Sequence, residues 1–410
     1  MGSSKKSIIL LSPHVPAIAG HGASMRVGSH LEILSRYYRV HLHILIHEGG
    51  RPTKIDENFI KTHTVSFHEW KIAHTKTPDS LLTGILDAIK PYPRLIREYP
   101  TNLGNEIYHC IPNCENIARI HCYRLGLSAI GERIAKKIGL PLSQLVIDLD
   151  DYESESAIRT LKQQQNIQGR LLTTFSRIDT LKIGHYEKYA ASKFGTLFLC
   201  SETDRKKFTA NNIGAKVHVV PNGYRIPEKK LPSSPEGNKT ILFVGSLNYQ
   251  ANIDAIEYFV RTVWSIYLWK SGYKMTIAGR EAPDSLRKLC QSYEINLITD
   301  PPEIEPLYRD SALLVVPIRI GGGTRIKILE AFGYGRPVVA TRIGAEGIEV
   351  EDGVHLLLAD EPQAIAEACI RILNHPEVAE KLTNAGRQLV EKSYSMKMIE
   401  NAINLGYEGL

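Results

Sequence analysis

No apolar run in this chain approaches the roughly 20 residues that a membrane-spanning helix needs. The opening strand-like KSIILLS is too short to be a signal-peptide core before prolines intervene, so a cytoplasmic protein is expected. There is no Cys-x-x-Cys pair among the cysteines at 110, 114, 122, 200, 290 and 369, which speaks against the common zinc and redox motifs. The stretch HCIPNCENIARIHC gathers two histidines and three cysteines, but His121 and Cys122 are neighbours in an apparent strand and point to opposite faces. Reduced, mostly buried thiols are expected instead. Long basic blocks, aromatic-interleaved basic stripes and short repeats are also missing, which disfavours nucleic-acid readers and solenoids.

What is present suits a two-core globular protein. The 410 residues exceed the usual size of one core, and 43% hydrophobic with 23% charged residues is ordinary for a folded chain. A net charge of +6, spread along the sequence, favours anionic small molecules or an anionic membrane surface as partners, with no nucleic acid.

Short apolar runs alternate with helical periodicities. In the first half KSIILLS, VHLHILIH, IARIHCY, LVIDLDD, TLFLCS and VHVVPN read as strands, with the histidines at 41, 43 and 47 along one strand edge. Residues 222–239 are polar and rich in Pro, Gly and Ser, the best boundary in the chain. Beyond it TILFVGS, KMTIAG, INLIT, ALLVVPI and PVVAT read as strands, and one long helix is expected over residues 252–269. Alternation of this kind predicts an α/β protein of two Rossmann-like, doubly wound domains with an interdomain cleft. The expected divisions are residues 1–222, 240–390 and a C-terminal helix, 391–410, that packs back on the first domain.

One turn stands out. PIRIGGGTRIKILEAFGYGRP places Gly321, Gly322 and Gly323 between a strand and a helix that opens with Arg325 and Lys327. Glycines there let an anion approach the unpaired N–H groups and positive dipole end of the helix, and the two cations add full charge. The same glycines also suit a plain tight turn beside a solvated basic face.

The segments ILFVGSLNYQANIDAIEYFV, IAGR and YRDSALLVVPIRIGGGTRIKILEAFGYGRPVVATRIGAEGI, taken in order, resemble the family-4 retaining glycosyltransferases of GT-B fold. That resemblance implies roles. Glu330 would accept hydrogen bonds from the ribose hydroxyls of a nucleotide sugar. Gly322, Gly323, Thr324, Arg325 and Lys327 would hold its diphosphate, with Arg280 adding a bidentate contact and Gly20 and Gly22 reaching from the first domain. Ile304, in PPEIEP, would cover the base. Asp150 and Asp151 stand where many members present a histidine to the donor sugar, and Asp150 is the preferred catalytic candidate; Asp151 also suits a helix cap. Two departures matter: the family's earlier glutamate is Gly322, and its usual Arg and Lys after the first strand are Ser246 and Asn252.

The implied activity is transfer of a hexosyl group from a UDP- or GDP-sugar, as co-substrate, to an acceptor hydroxyl with retention, in glycan or glycoconjugate biosynthesis. No cofactor is required; a divalent metal is left open. The acceptor would be a glycan, a lipid-linked sugar or a protein, with a peripheral position at the inner face of a membrane compatible with the charge. A nicotinamide oxidoreductase is disfavoured because GHGASM lacks the third fingerprint glycine. A non-catalytic glycan- or nucleotide-binding protein that kept the fold is the alternative.

Overall fold

A computed structural model describes residues 5–47, 56–73, 81–111, 116–164, 170–212, 214–235, 237–321 and 323–408. Cys114 and Gly322 lie outside the described residues. The chain forms two compact units, Met1–Pro221 with Ile399–Leu410 (unit 1) and Asn222–Met398 (unit 2).

Unit 1 is built on seven strands: β1 (Ser7–Ser12), β2 (Arg39–His47), β3 (Ser66–Ile72), β4 (Ile117–Tyr123), β5 (Leu145–Asp150), β6 (Thr196–Leu199) and β7 (Val217–Val219). Their spatial order is β3-β2-β1-β4-β5-β6-β7, every pairing parallel. Central strands such as SIILLS and LVIDLD are buried along their whole length, which is why they read as apolar runs without alternation. Unit 2 carries six more: β8 (Thr240–Val244), β9 (Lys274–Gly279), β10 (Asn296–Thr299), β11 (Leu313–Val316), β12 (Val338–Ala340) and β13 (Leu357–Leu358), in the parallel order β10-β9-β8-β11-β12-β13. Both sheets reverse direction of growth between their first and fourth strands, as doubly wound sheets do, and ligands of such sheets gather at that switch point.

Several sequence expectations need correction. β3 was not anticipated: SFHEWKI lies at the sheet edge, half-buried and polar, without the apolar run that marks a central strand. β13 is two residues long and leaves no pattern to read. β2 is not an edge, because β3 covers it; His41 Nδ1 lies 2.8 Å from Ser66 Oγ, and Trp70 Nε1 donates to His43 Nδ1 at 3.2 Å. The long helix is α-helical over Gln250–Tyr258 and continues in the wider π geometry over Phe259–Leu268.

The five described cysteines are free thiols; Cys122, Cys200, Cys290 and Cys369 are buried and Cys110 is half-buried.

Candidate functional site

In unit 2, parallel pairing sends the turns after β8, β9, β10 and β11 to one end of the sheet. The glycine turn follows β11, beside β8 at the switch point. Gly321 (φ 96°) and Gly323 (φ 78°) adopt the left-handed backbone that only glycine takes without strain. The turn delivers the chain to the helix Ile326–Tyr334, with Arg325 at its cap position and Gly335 (φ 75°) closing it. Thr324 is half-buried, and its Oγ1 has no hydrogen-bond partner among the described residues.

Lys327 and Glu330 sit one turn apart on this helix. Lys327 Nζ donates to Asn252 Oδ1 at 3.0 Å and lies 4.2 Å from the centre of the Phe243 ring. Asn252 is fixed in turn by donating to the Ser246 carbonyl at 2.8 Å. A Cβ on Gly245 would come within 2.8 Å of both Lys327 Nζ and Asn252 Nδ2, so a glycine after β8 makes room for the lysine. Burial, reinforced by the Arg325 charge, lowers the Lys327 ammonium to a pKa of about 7, against the opposing pull of Glu330. Glu330 accepts a hydrogen bond from Tyr308 Oη at 3.2 Å. Its burial raises the carboxyl to about 7, although Tyr308 and Lys327 both favour the ionised form.

Two more candidates of unit 2 lie on neighbouring turns. Arg280 follows β9 and is exposed; its guanidinium makes no hydrogen bond or ion pair among the described residues, while its carbonyl accepts from the Leu247 N–H at 2.8 Å. Ile304 is half-buried at the cap of the helix Glu305–Arg309, its carbonyl accepting from the N–H groups of Leu307 and Tyr308.

Gly20, Gly22, Asp150 and Asp151 belong to unit 1. Gly20 (φ 104°) is exposed, and Gly22 opens the helix Gly22–Tyr37. Asp150 ends β5 in the left-handed region (φ 60°), as does Arg124 just after β4 (φ 76°). Asp150 Oδ2 accepts from Tyr123 Oη at 2.9 Å and pairs with Arg124 Nη2 at 3.0 Å; Oδ1 lies 3.7 Å from Arg26 Nε. Two non-glycine residues held in a strained backbone and tied to one carboxylate mark a spot that its surroundings over-determine. Asp151 is half-buried, its Oδ2 accepting from Ser156 Oγ at 2.9 Å; burial and the charges of Asp150 and Asp204 raise its pKa.

Sequence reasoning missed several of these neighbours. Tyr123, Arg124, His14 and His21 surround Asp150 from other strands and loops. Burial, followed by the Arg124 charge, holds His14 down at about 4 and lowers His21 as well, while Asp150 opposes both shifts; the imidazoles are neutral near pH 7. In unit 2, Tyr308 and Gly245 were missed, Gly245 leaving a trace as the glycine ending ILFVG; Asn252, read from the sequence as standing in place of the family's lysine, was not read as the partner of Lys327. Metal-ligand geometry also went unread: among the described residues, His30–His121–Asp148 and Asp151–Cys200–Asp204 each bring ligand atoms within 4.8 Å of one another, both in unit 1. Asp148 of the first group is already held by Arg26, whose Nε and Nη2 donate at 2.9 and 2.8 Å.

Comparison with known proteins places these features in a family context. A protein from the cps region of Klebsiella pneumoniae is 26% identical over 175 residues, which cover 40% of this chain and 45% of that protein, so the match spans less than half of that curated relative. Sucrose-phosphate synthase from Thermosynechococcus elongatus superposes with a TM-score of 0.67 at 15% identity, covering 98% of both chains. Anabaena HepE in complex with UDP superposes at 0.65 with 14% identity, covering 98% of this chain and 100% of HepE. The fold is therefore that of the GT-B glycosyltransferases, two Rossmann-like parallel-sheet units, and residues 238–375, which include the glycine turn, Lys327 and Glu330, match the family of glycosyl transferases group 1.

Proposed function

We propose that the protein is a glycosyltransferase that moves a hexosyl group from a uridine or guanosine diphosphate sugar to an acceptor hydroxyl with retention at the anomeric carbon. The observation that carries this reading is the ordering of Lys327 by Asn252 and of Glu330 by Tyr308 on a helix that leaves a glycine turn at the switch point of the sheet. A half-buried cation three residues from a half-buried carboxylate offers a phosphate contact and a hydroxyl acceptor on one helix. The UDP held by HepE supports a uridine donor.

In this reading the anomeric C–O bond to the diphosphate breaks as the acceptor oxygen bonds to the same carbon from the leaving group's side. The acceptor's proton passes to the departing phosphate oxygen. Arg325, Lys327 and the helix N-terminus stabilise the growing negative charge on the diphosphate, and no protein nucleophile is required. Asp150, fixed by Tyr123 and Arg124, would stabilise positive charge on the sugar ring or orient the acceptor. A glycan, a lipid-linked sugar or a protein fits the acceptor role.

Gly322, in place of the family's earlier glutamate, favours a second reading, a nucleotide- or glycan-binding protein without turnover. Incubating the protein with a panel of nucleotide sugars, scored for nucleotide release and thermal shift, separates the two. Release with one or a few donors is expected; thermal shifts without release for any donor and acceptor pair would establish binding alone.

A further inference from the structure

The helix Leu81–Ala88 turns its apolar side outward. Leu82, Ile85, Leu86 and Ile89 recur at positions i, i+3, i+4 and i+7, the spacing of one helix face, and are 68%, 45%, 50% and 72% exposed. Ile89 continues the helical pattern by donating to the Ile85 carbonyl; Tyr92, 52% exposed, follows three residues on and sets its ring edge-on to Tyr186 of the helix Arg170–Lys193. The opposite side is packed: a Cβ on Gly84 would lie 2.3 Å from the Phe175 ring of the helix Arg170–Lys193. Amphipathic helices of soluble proteins ordinarily bury the stripe that this one presents to solvent.

A cationic cluster adjoins the strip. The carboxylate of Asp87 lies 2.7 Å from Arg97, 3.2 Å from Arg94 and 3.9 Å from Lys90, and Lys182 Nζ donates to the Asp87 carbonyl at 3.2 Å. Asp179, the other nearby carboxylate, accepts from the Arg94 backbone N–H. Four cations thus face two carboxylates, and burial with the Arg97 charge lowers the Lys182 pKa, as crowding of like charges should. Charge is also divided between the units: unit 1 holds 29 Lys and Arg against 22 Asp and Glu, unit 2 holds 21 against 22.

We infer that this strip, with its cationic surround, docks the protein on an anionic lipid surface, the apolar side chains entering the headgroup region and Lys90 and Lys182 meeting lipid phosphates, while Arg94 and Arg97, only 21% and 17% exposed, stay paired with Asp87. Apolar area and cations act together in such binding, and Tyr is suited to the boundary because its ring is apolar and its hydroxyl polar. A second copy of the chain is the poorer occupant. Five side chains offer far less than the roughly 800 Å² per partner of a stable protein interface, and a symmetric dimer through the strip would bring two cationic clusters together.

The test uses the full chain and vesicles of phosphatidylcholine, alone or mixed equally with phosphatidylglycerol, without donor or acceptor, so its outcome is separate from that of the proposed transferase activity. Co-sedimentation with the anionic vesicles is expected, with little on neutral ones and progressive loss as salt rises. The double variant Leu86→Ser/Ile89→Ser, checked for an unchanged melting temperature, should partition about tenfold less or weaker still, and Lys90→Glu should lose part of the binding. Equal binding to anionic and neutral vesicles, or undiminished binding by the double variant, overturns the inference. So does a dimer that the double variant loses in sedimentation velocity while neither protein binds vesicles.

Discussion

Lys327 and Glu330 make the proposed donor site sensitive to pH around neutrality, from opposite sides. The free ammonium loses its proton above about pH 7, so binding a diphosphate there must recover one and affinity should fall as pH rises through that value. The free carboxyl is protonated below about pH 7, so accepting ribose hydroxyls requires loss of a proton and affinity should rise on approach to that value. Nucleotide affinity is therefore expected to peak near pH 7. Calorimetric titration across pH checks this: Lys327→Met should flatten the alkaline limb and Glu330→Gln the acid limb. At the other candidate position, Asp150→Asn keeps the side-chain size and a residue type that tolerates positive φ, but removes the charge. Turnover per folded molecule should fall by about a hundredfold, the order seen when one electrostatic contact to a transition state is lost. Melting should also drop a few degrees, because Arg124 loses the nearer of its two carboxylate partners, Asp150 at 3.0 Å against Glu153 at 3.4 Å. Wild-type turnover in Asp150→Asn, measured beside Asp151→Asn, would remove Asp150 from the reaction.

Between residue and whole molecule, the helix Gly22–Tyr37 is held to its sheet by charge as well as by packing. Arg26 clamps both oxygens of Asp148 on β5 and donates to the Val220 carbonyl at 2.7 Å, with all three groups buried. Such a pair contributes little beyond a matched apolar replacement, yet breaking one side of it leaves a charge stranded. Arg26→Met is expected to cost about 3–5 kcal/mol in denaturant unfolding. The helix also has no room at Gly28, where a Cβ would stand 2.2 Å from the Ala17 carbonyl oxygen. The existence of this helix was legible in the spacing of its apolar residues. Its attachment was not, because Arg26 and Asp148 are separated by well over a hundred residues and neither carries a local pattern.

At the scale of the whole chain, the last helix, Met396–Glu408, supplies part of the unit 1 core from Ile399 onward, although unit 2 precedes that residue in sequence. Ile399, Ile403 and Tyr407 are buried; Tyr407 Oη lies 2.7 Å from His121 Nδ1, and its carbonyl accepts from Arg119 Nη2 at 3.0 Å. A Cβ on Gly406 would stand 2.3 Å from the Phe198 ring of β6. Tyr407→Ala should destabilise unit 1 by about 3–5 kcal/mol, the usual cost of deleting a buried aromatic ring. Hydrogen exchange in β4 and β6 should accelerate accordingly, and unchanged protection there would show that unit 1 does not depend on this helix.

Local sequence was enough to determine the α/β alternation and the glycine turn with its two cations, because apolar period, glycine placement and helix punctuation act over a few residues. Tertiary structure alone decided that β3 covers β2, that Asn252 holds Lys327, that Tyr308 meets Glu330 and that Arg124 and Tyr123 converge on Asp150. Those partners come from separate strands and loops, brought together by parallel pairing whose order no local pattern encodes. The pKa shifts followed the same division: a lysine's sequence neighbours are written in the chain, but the burial that brings it near neutrality exists only once the sheet and its helices have closed around it.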